Sequence, residues 1–386
     1  MTRPQLSNRD ARRLFLQAHG LLARPGGTTR ADDVVKAVTD LGFVQVDSIN
    51  TIAQAHDHIL WSRRPMARQG ALHRCAAKHR GLFEGWTHDA ALIPSAFFKH
   101  WRHKHAADKE ALAKRWDGWG RKGFDAEFDA ILARITKEGG LTAGEIIDGA
   151  AQTSGGWWEW KPQKTALEFL WRSGDLSICH RRGFTKVYDL TERVLPPEAL
   201  NARTDPDESL NWSALAALDR RGFATPSELS AFWDMFPKKA LADWSTRRPA
   251  DSIEIDVEGA DGRIKPALIH ADWEARLAAL PQPSPRLRIL SPFAPALRDR
   301  TRAQRLSLTG RIDIKADRAE DTLRIQGYWP ERGVKLGQGR AKALAAELAR
   351  LAKLARVTQL SLEDRPATEI LRQSAEFKAA LAANAE

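Results

Sequence analysis

Cysteine is scarce: Cys75 and Cys179 are the only two in 386 residues, far apart, which argues against a disulfide framework. Long apolar runs are missing too, and none approaches the roughly 18 residues needed to span a bilayer. The opening residues, MTRPQLSNRDARRLF, contain no apolar segment followed by a small-residue cleavage site, so no export signal is read and the cytosol is expected. Metal-ligand spacing is also absent. Neither His56 and His58 nor the trio His100, His103 and His105 matches a zinc pattern, HWRHKHAADKE reads as a polar helix face, and no metal or cofactor is expected. What the chain does have is positive charge. Sixty Lys and Arg against 49 Asp and Glu give a net +11, which favours a polyanionic partner, most simply nucleic acid. The alternative source of that charge is the Arg- and Ala-rich composition typical of a GC-rich genome. With 43% hydrophobic and 28% charged residues, the chain reads as a globular protein long enough for two or three domains.

Helical periodicity begins early. Ser7 and Asp10 form a capping signal ahead of Ala11, Leu14, Phe15, Ala18 and Leu22. Thr29 with Asp32 opens a second helix whose apolar stripe is Val34, Val35, Val38 and Leu41, and Gly42 ends it. Residues 43–47 alternate as a short strand, and a further helix is expected from about Ile49 to Trp61. The clearest unit lies at 125–195. A helix carrying Phe128, Ile131, Leu132 and Ile135 precedes a capping box at Thr142 and Glu145. A second helix carries Leu167, Leu170 and Trp171, and two strands flank the basic turn Arg181-Arg182-Gly183. Helix, turn, helix, basic hairpin is the winged-helix order.

Residues 206–245 repeat the theme more weakly. Strand-like pieces follow from Ser252, and a final helix is expected from about Arg340 to Leu354. The fold class expected is α+β: about three tandem winged-helix units with a small C-terminal β-rich domain, divided at 1–122, 123–200, 201–250 and 251–386. Lys161 and Lys164 at the start of the second unit's helix, with Arg181, Arg182 and Lys186 on its wing, are the expected phosphate contacts, joined by Arg63 and Arg64 in the first unit. The tryptophans, Trp157, Trp158 and Trp160 among them, read as core or helix anchors.

The most informative segment is LGFVQVDSIN. On a strand Gln45 and Asp47 share one face while Val44 and Val46 point to the other, leaving an amide and a carboxylate roughly 6–7 Å apart. Such a pair can hold a water against a developing cation. The competing expectation is that Asp47 or Ser48 caps the next helix. QVDSI resembles the signature of the YcaQ/AlkZ family of winged-helix DNA glycosylases, in its Gln–apolar–Asp version. The blocks LFEGWTHDAALIP (82–94), GWWEWKPQKTALEFL (156–170), GFTKVYDLTERVLP (183–196), LSPFAP (290–295) and GRIDIKADR (310–318) match in order over nearly the whole chain.

That resemblance implies three winged-helix units, a C-terminal β-rich domain, and catalytic roles for Gln45 and Asp47. The activity implied is a monofunctional DNA repair glycosylase that releases N7-alkylguanine-type bases from duplex DNA and extends to interstrand crosslinks. No Lys or N-terminal Pro stands ready for a Schiff base. Glu84, Trp86 and His88 are candidates for the border of the site, with ordinary packing as the alternative. A monomer working in the cytoplasm at the nucleoid is expected. The runner-up function is a non-catalytic winged-helix binder or transcription regulator, against which stands the number of winged-helix-like units in one chain. The resemblance also marks one departure. RDRTRAQRLSLTGRIDIKADR runs straight through where relatives carry an insert rich in Tyr, Pro and basic residues. A smaller C-terminal sheet with an exposed edge is expected from its loss.

Overall fold

The computed structural model describes residues 3–118, 123–148, 161–248, 250–306 and 308–383. Trp157, Trp158 and Trp160 lie outside them. The chain opens with β1 (Gln5–Leu6) and the helix Asn8–Ala18, whose N-cap Ser7 accepts from the Asp10 amide at 3.2 Å as its spacing predicts. The helix Ala31–Leu41 follows and ends at Gly42, whose φ of 91° suits a residue without a side chain. Thr29 is not its cap; Arg30 holds that position without a side-chain bond.

Next come β2 (Val44–Gln45), the helices Ala55–Trp61 and Ala71–His79, and the hairpin β3 (Leu82–Trp86) and β4 (Ala90–Pro94). The sheet order is β2-β4-β3. The long helix Phe98–Gly118 leads to the helix Phe128–Glu138, β5 (Leu141–Thr142), the helices Ala143–Asp148 and Pro162–Arg172, and the hairpin β6 (Leu176–Arg182) and β7 (Thr185–Leu190), in the order β5-β7-β6. A third stretch runs through the helix Pro206–Arg221, a single bridging residue Ala224, the helices Pro226–Trp233 and Lys238–Arg247, and the hairpin β8 (Ser252–Glu258) and β9 (Ile264–His270). Ala224 pairs with Leu268 on β9, and β1 adds in parallel to the far edge of β8. One connectivity therefore recurs three times: helix, strand, two helices, and a hairpin whose second strand is central.

The C-terminal part contains β10 (Gly310–Asp317), β11 (Thr322–Pro330) and β12 (Gln359–Leu362), with the helix Gln338–Ala355 packed against them. Ile314, Leu323 and Ile325 of its sheet meet Leu344, Leu348 and Leu351 of the helix, and Ala53 and Trp61 from the first unit join the same core.

The first sheet is covered on both faces, which fixes its register. Val44, Val46 and Leu92 face a core with Val34, Val38 and Ile59. Phe43, Phe83, Ala91 and Ile93 face another with Trp101, Leu218 and Trp233. Burying an aromatic of this size contributes on the order of 2–3 kcal/mol. The expected polar face of the helix Phe98–Gly118 is in part the seam with the third stretch. His100 is buried, bonds Ser209 at 2.9 Å and stacks on Trp212 at 4.0 Å, and Lys104 is buried too. Among the described residues no helix is long and apolar enough to cross a membrane.

Candidate active site

Strand β2 ends where the chemistry was expected. Val44 and Val46 are buried, as alternation requires, and the Val46 amide still bonds Ala90 O at 2.8 Å. Beyond it the expected helix from Ile49 does not form. Residues 46–54 are a loop, and the helix starts at Ala55 with Gln54 as its cap. The cause is local: the Asp47 carboxylate turns back to accept from the Ile49 amide at 2.7 Å, an Asx turn that breaks the helical path. Asp47 is therefore no helix cap. It is half-buried, while Ser48, Ile49 and Asn50 are exposed. The loop is held from the other end of the chain. The Ala316 amide of β10 bonds Thr51 O at 2.9 Å, and Arg318 reaches Ile52 O at 2.6 Å and Asn50 Oδ1 at 3.3 Å.

Gln45 is 8% exposed, and its Nε2 donates to Asp89 Oδ2 at 3.3 Å. Asp89 sits in the β3–β4 turn beside His88, whose Nε2 lies 3.6 Å from the same carboxylate. His88 Nδ1 is in turn met by the Arg298 guanidinium, which also lies 5.1 Å from the centre of the Phe43 ring. Burial, then the charge of Arg298, lowers the His88 pKa to about 4, so the ring is neutral at physiological pH.

Glu84 and Trp86 are turned elsewhere. Glu84 and Val44 both oppose Leu92, whereas Gln45 and Gly85 both oppose Ala91, so Glu84 lies on the sheet face away from Gln45. Its carboxylate takes both arms of Arg181, at 2.5 and 2.9 Å, with the two side chains 3% and 4% exposed. Trp86 packs edge-on against Trp171 at 5.7 Å and carries the Arg172 guanidinium over its ring at 4.4 Å. Of the three expected border residues, only His88 is connected to Gln45.

The basic residues divide by burial. Arg181 joins the first and second hairpins and does not point outward as a phosphate contact. Arg63 is buried as well, bonding His19 O at 3.1 Å and Ile59 O at 3.2 Å. Arg64 is half-buried against Gly26 O. Lys161 and Lys164 are exposed at the start of the helix Pro162–Arg172. Arg182 is exposed and pairs with Glu145 at 2.6 Å, and Lys186 is half-buried with its ammonium 3.8 Å from the centre of the Trp171 ring. Among the described residues no group of three or more His, Cys, Asp or Glu could hold a metal.

The chain as a whole has known counterparts. The family described as DNA glycosylase AlkZ-like matches residues 38–308, a stretch that contains Gln45, Asp47, Asp89 and Arg298. The chain belongs to the AlkZ-like DNA glycosylases. It is a DNA N-glycosylase, and its substrate is DNA. The structure of the Streptomyces sahachiroi DNA glycosylase AlkZ is similar over 93% of this chain and 99% of that one, with a TM-score of 0.65 and 17% identity. At that identity the likeness speaks for a common mixed α+β fold. In this AlkZ-like chain the sequence did not single out Asp89, Arg298 or Arg318. Asp89 and Arg318 lie inside the quoted blocks LFEGWTHDAALIP and GRIDIKADR, and Arg298 stands three residues after LSPFAP. Block membership was the available signal; their roles needed contacts far apart in sequence.

Proposed function

We propose that this glycosylase releases N7-alkylated purines by direct hydrolysis, with Asp47 and Gln45 as its catalytic residues. The observation that carries the reading is Gln45-Val46-Asp47 at the exit of β2, anchored by buried Val44 and Val46 and opening onto an exposed loop in a chain of this family. An N7-alkylguanine carries a fixed positive charge. The electron pair of the C1′–N9 bond leaves with the base and neutralises that charge, so protonation by the enzyme is unnecessary. The sugar is left with oxocarbenium character. Asp47 opposes the positive charge and takes a proton from the water that adds to C1′, and Gln45 orients that water. The products are the free base and an abasic sugar, with no covalent enzyme intermediate.

The same proposal reads the three recurrences of helix, strand, two helices and hairpin as three winged-helix units. It moves the end of the third from about 250 to His270, because the hairpin β8–β9 carries the bridge to Ala224. DNA lies along the exposed bases Lys161, Lys164 and Arg182, with Lys186 and Arg64 nearer the protein surface. The chain works as a monomer on DNA in the bacterial cytoplasm. The C-terminal sheet has three strands with β10 at an edge, and the Tyr-, Pro- and base-rich insert is missing. The enzyme is accordingly better suited to simple monoadducts than to interstrand crosslinks. The test is side-by-side excision of 7-methylguanine and a nitrogen-mustard crosslink from duplex DNA. Release of 7-methylguanine with poor unhooking is expected. Equal unhooking removes the monoadduct preference, and no release from either substrate removes the proposed chemistry.

A further inference from the structure

The geometry points to Asp89 as a positioning residue that fixes which end of the Gln45 amide faces the substrate, an inference resting on the catalytic reading of Gln45. A side-chain amide has a donor end and an acceptor end of nearly equal size, and either can face a ligand unless a neighbour decides. Here the carboxylate of Asp89, flanked by His88 and Arg298, decides. The Arg298 guanidinium can only donate, so His88 Nδ1, which it meets, must accept. A neutral imidazole that accepts at Nδ1 carries its proton at Nε2, and Nε2 is the atom facing Asp89, at 3.6 Å. A carboxylate accepts only, so the Asp89 oxygen at 3.3 Å from Gln45 must be met by the Nε2 end of the amide. Gln45 Oε1 is left as the end available to the reaction.

This row of side chains is anchored at its far end. Arg298 also donates to Phe232 O and Ala231 O, both at 3.2 Å, and lies over the Phe43 ring two residues before Gln45. The third helical stretch and the segment after LSPFAP thus hold an amide on the first sheet. An Oε1 facing the sugar can accept a proton of the attacking water and place negative partial charge near C1′. A donor end turned the same way would oppose both effects. Asp89 does not touch the reacting atoms; it acts through Gln45.

Two experiments on the full chain test this. In the first, the Gln45 side-chain amide is followed by NMR with 15N-glutamine labelling, its signal assigned by its loss in Gln45→Ala. In the wild type one amide proton should be shifted downfield and protected from exchange, and Asp89→Ala should abolish both properties. A signal indifferent to Asp89→Ala overturns the proposal whether or not the enzyme releases any base.

The second is single-turnover release of 7-methylguanine from duplex DNA, with DNA affinity measured in parallel. Asp89→Ala should slow release about tenfold, in keeping with the penalty for misplacing a reacting group, with DNA affinity held within about twofold. In the Gln45→Ala background the same substitution should cost nothing further, because the effect passes through Gln45. Asp89→Asn should lose only about two- to fivefold, since its amide oxygen still accepts from Gln45. Run through the same cycle, it keeps the test open should the alanine variant fail to fold. An unchanged rate in Asp89→Ala, or an equal loss with and without Gln45, overturns the proposal. Full activity in Gln45→Ala removes the catalytic reading of Gln45 itself, and that outcome is read in its own arm.

Discussion

The first and second sheets have the same connectivity and opposite endings. After β5, Thr142 and Glu145 close a reciprocal cap: the Thr142 amide donates to Glu145 Oε2 at 2.7 Å, the Glu145 amide donates to Thr142 Oγ1 at 3.2 Å, and the helix begins at once at Ala143. The third recurrence does likewise after Ala224, where Thr225 and Glu228 form a complete capping box. After β2 the corresponding place holds Asp47, which bonds the Ile49 amide and delays the helix to Ala55. A carboxylate that starts a helix in two units is kept near a loop in the first. The difference teaches that the first unit lacks the cap the other two form, and that the backbone of its loop is tied instead to β10 and Arg318.

The strongest way to break that contrast is Asp47→Asn. Base release from 7-methylguanine DNA should fall at least about 10²- to 10³-fold, the usual loss when a group facing transition-state charge is neutralised. The melting temperature and DNA affinity should stay close to wild type. A lower melting temperature with activity spared would make Asp47 a structural residue like Thr225.

The buried Arg181–Glu84 pair ties the two hairpins together, whereas its neighbour Arg182 is exposed. Arg181→Ala strands a buried carboxylate and should cost about 3–5 kcal/mol in urea unfolding. Arg182→Ala, a substitution at the exposed neighbour, should leave stability within about 0.5 kcal/mol.

Acid should weaken the first unit and its seams with the second and third. Burial lowers His56, His100 and His105 to about 3 and His58 to about 4, from 6.5. Each is neutral when folded and takes up a proton when unfolded below pH 6.5, so stability is full above 6.5 and falls as pH drops toward 4. The slope is at most about 1.4 kcal/mol per pH unit for each histidine. Asp57, raised by burial to about 6, binds its proton more tightly when folded and offsets part of this loss. Urea midpoints at pH 7.5, 6.0 and 5.0 should therefore decline in that order; a flat series would show that these histidines are hydrated.

Thr225→Ala removes a cap and should cost about 1 kcal/mol without changing base release. Smallest is the effect of Arg182→Ala on DNA: affinity should weaken uniformly across sequences, with a salt slope lower by about one unit, whereas a sequence-dependent loss would mean base contact.

Local chemistry was legible from the sequence alone. The caps at Ser7 and at Thr142/Glu145, the helix end at Gly42, the inward Val44 and Val46, and the hairpin turn at Gly183 each follow from a few adjacent residues, because capping, alternation and turn conformation are short-range. Gln45 and Asp47 became candidates for the same reason, and the family was legible through ordered blocks. Burial of charge was not legible. Arg181 and Arg182 are neighbours in one basic turn, yet one is sealed against Glu84 and the other is open to water, because alternate strand positions face different surroundings and only the docking of one hairpin on another says which. Nor could sequence place Asp89, His88 and Arg298 in one chain with Gln45, or bring Arg318 to the loop after Asp47. Those contacts join segments as many as 268 residues apart, and their hydrogen bonds exist only once the cores between them have packed.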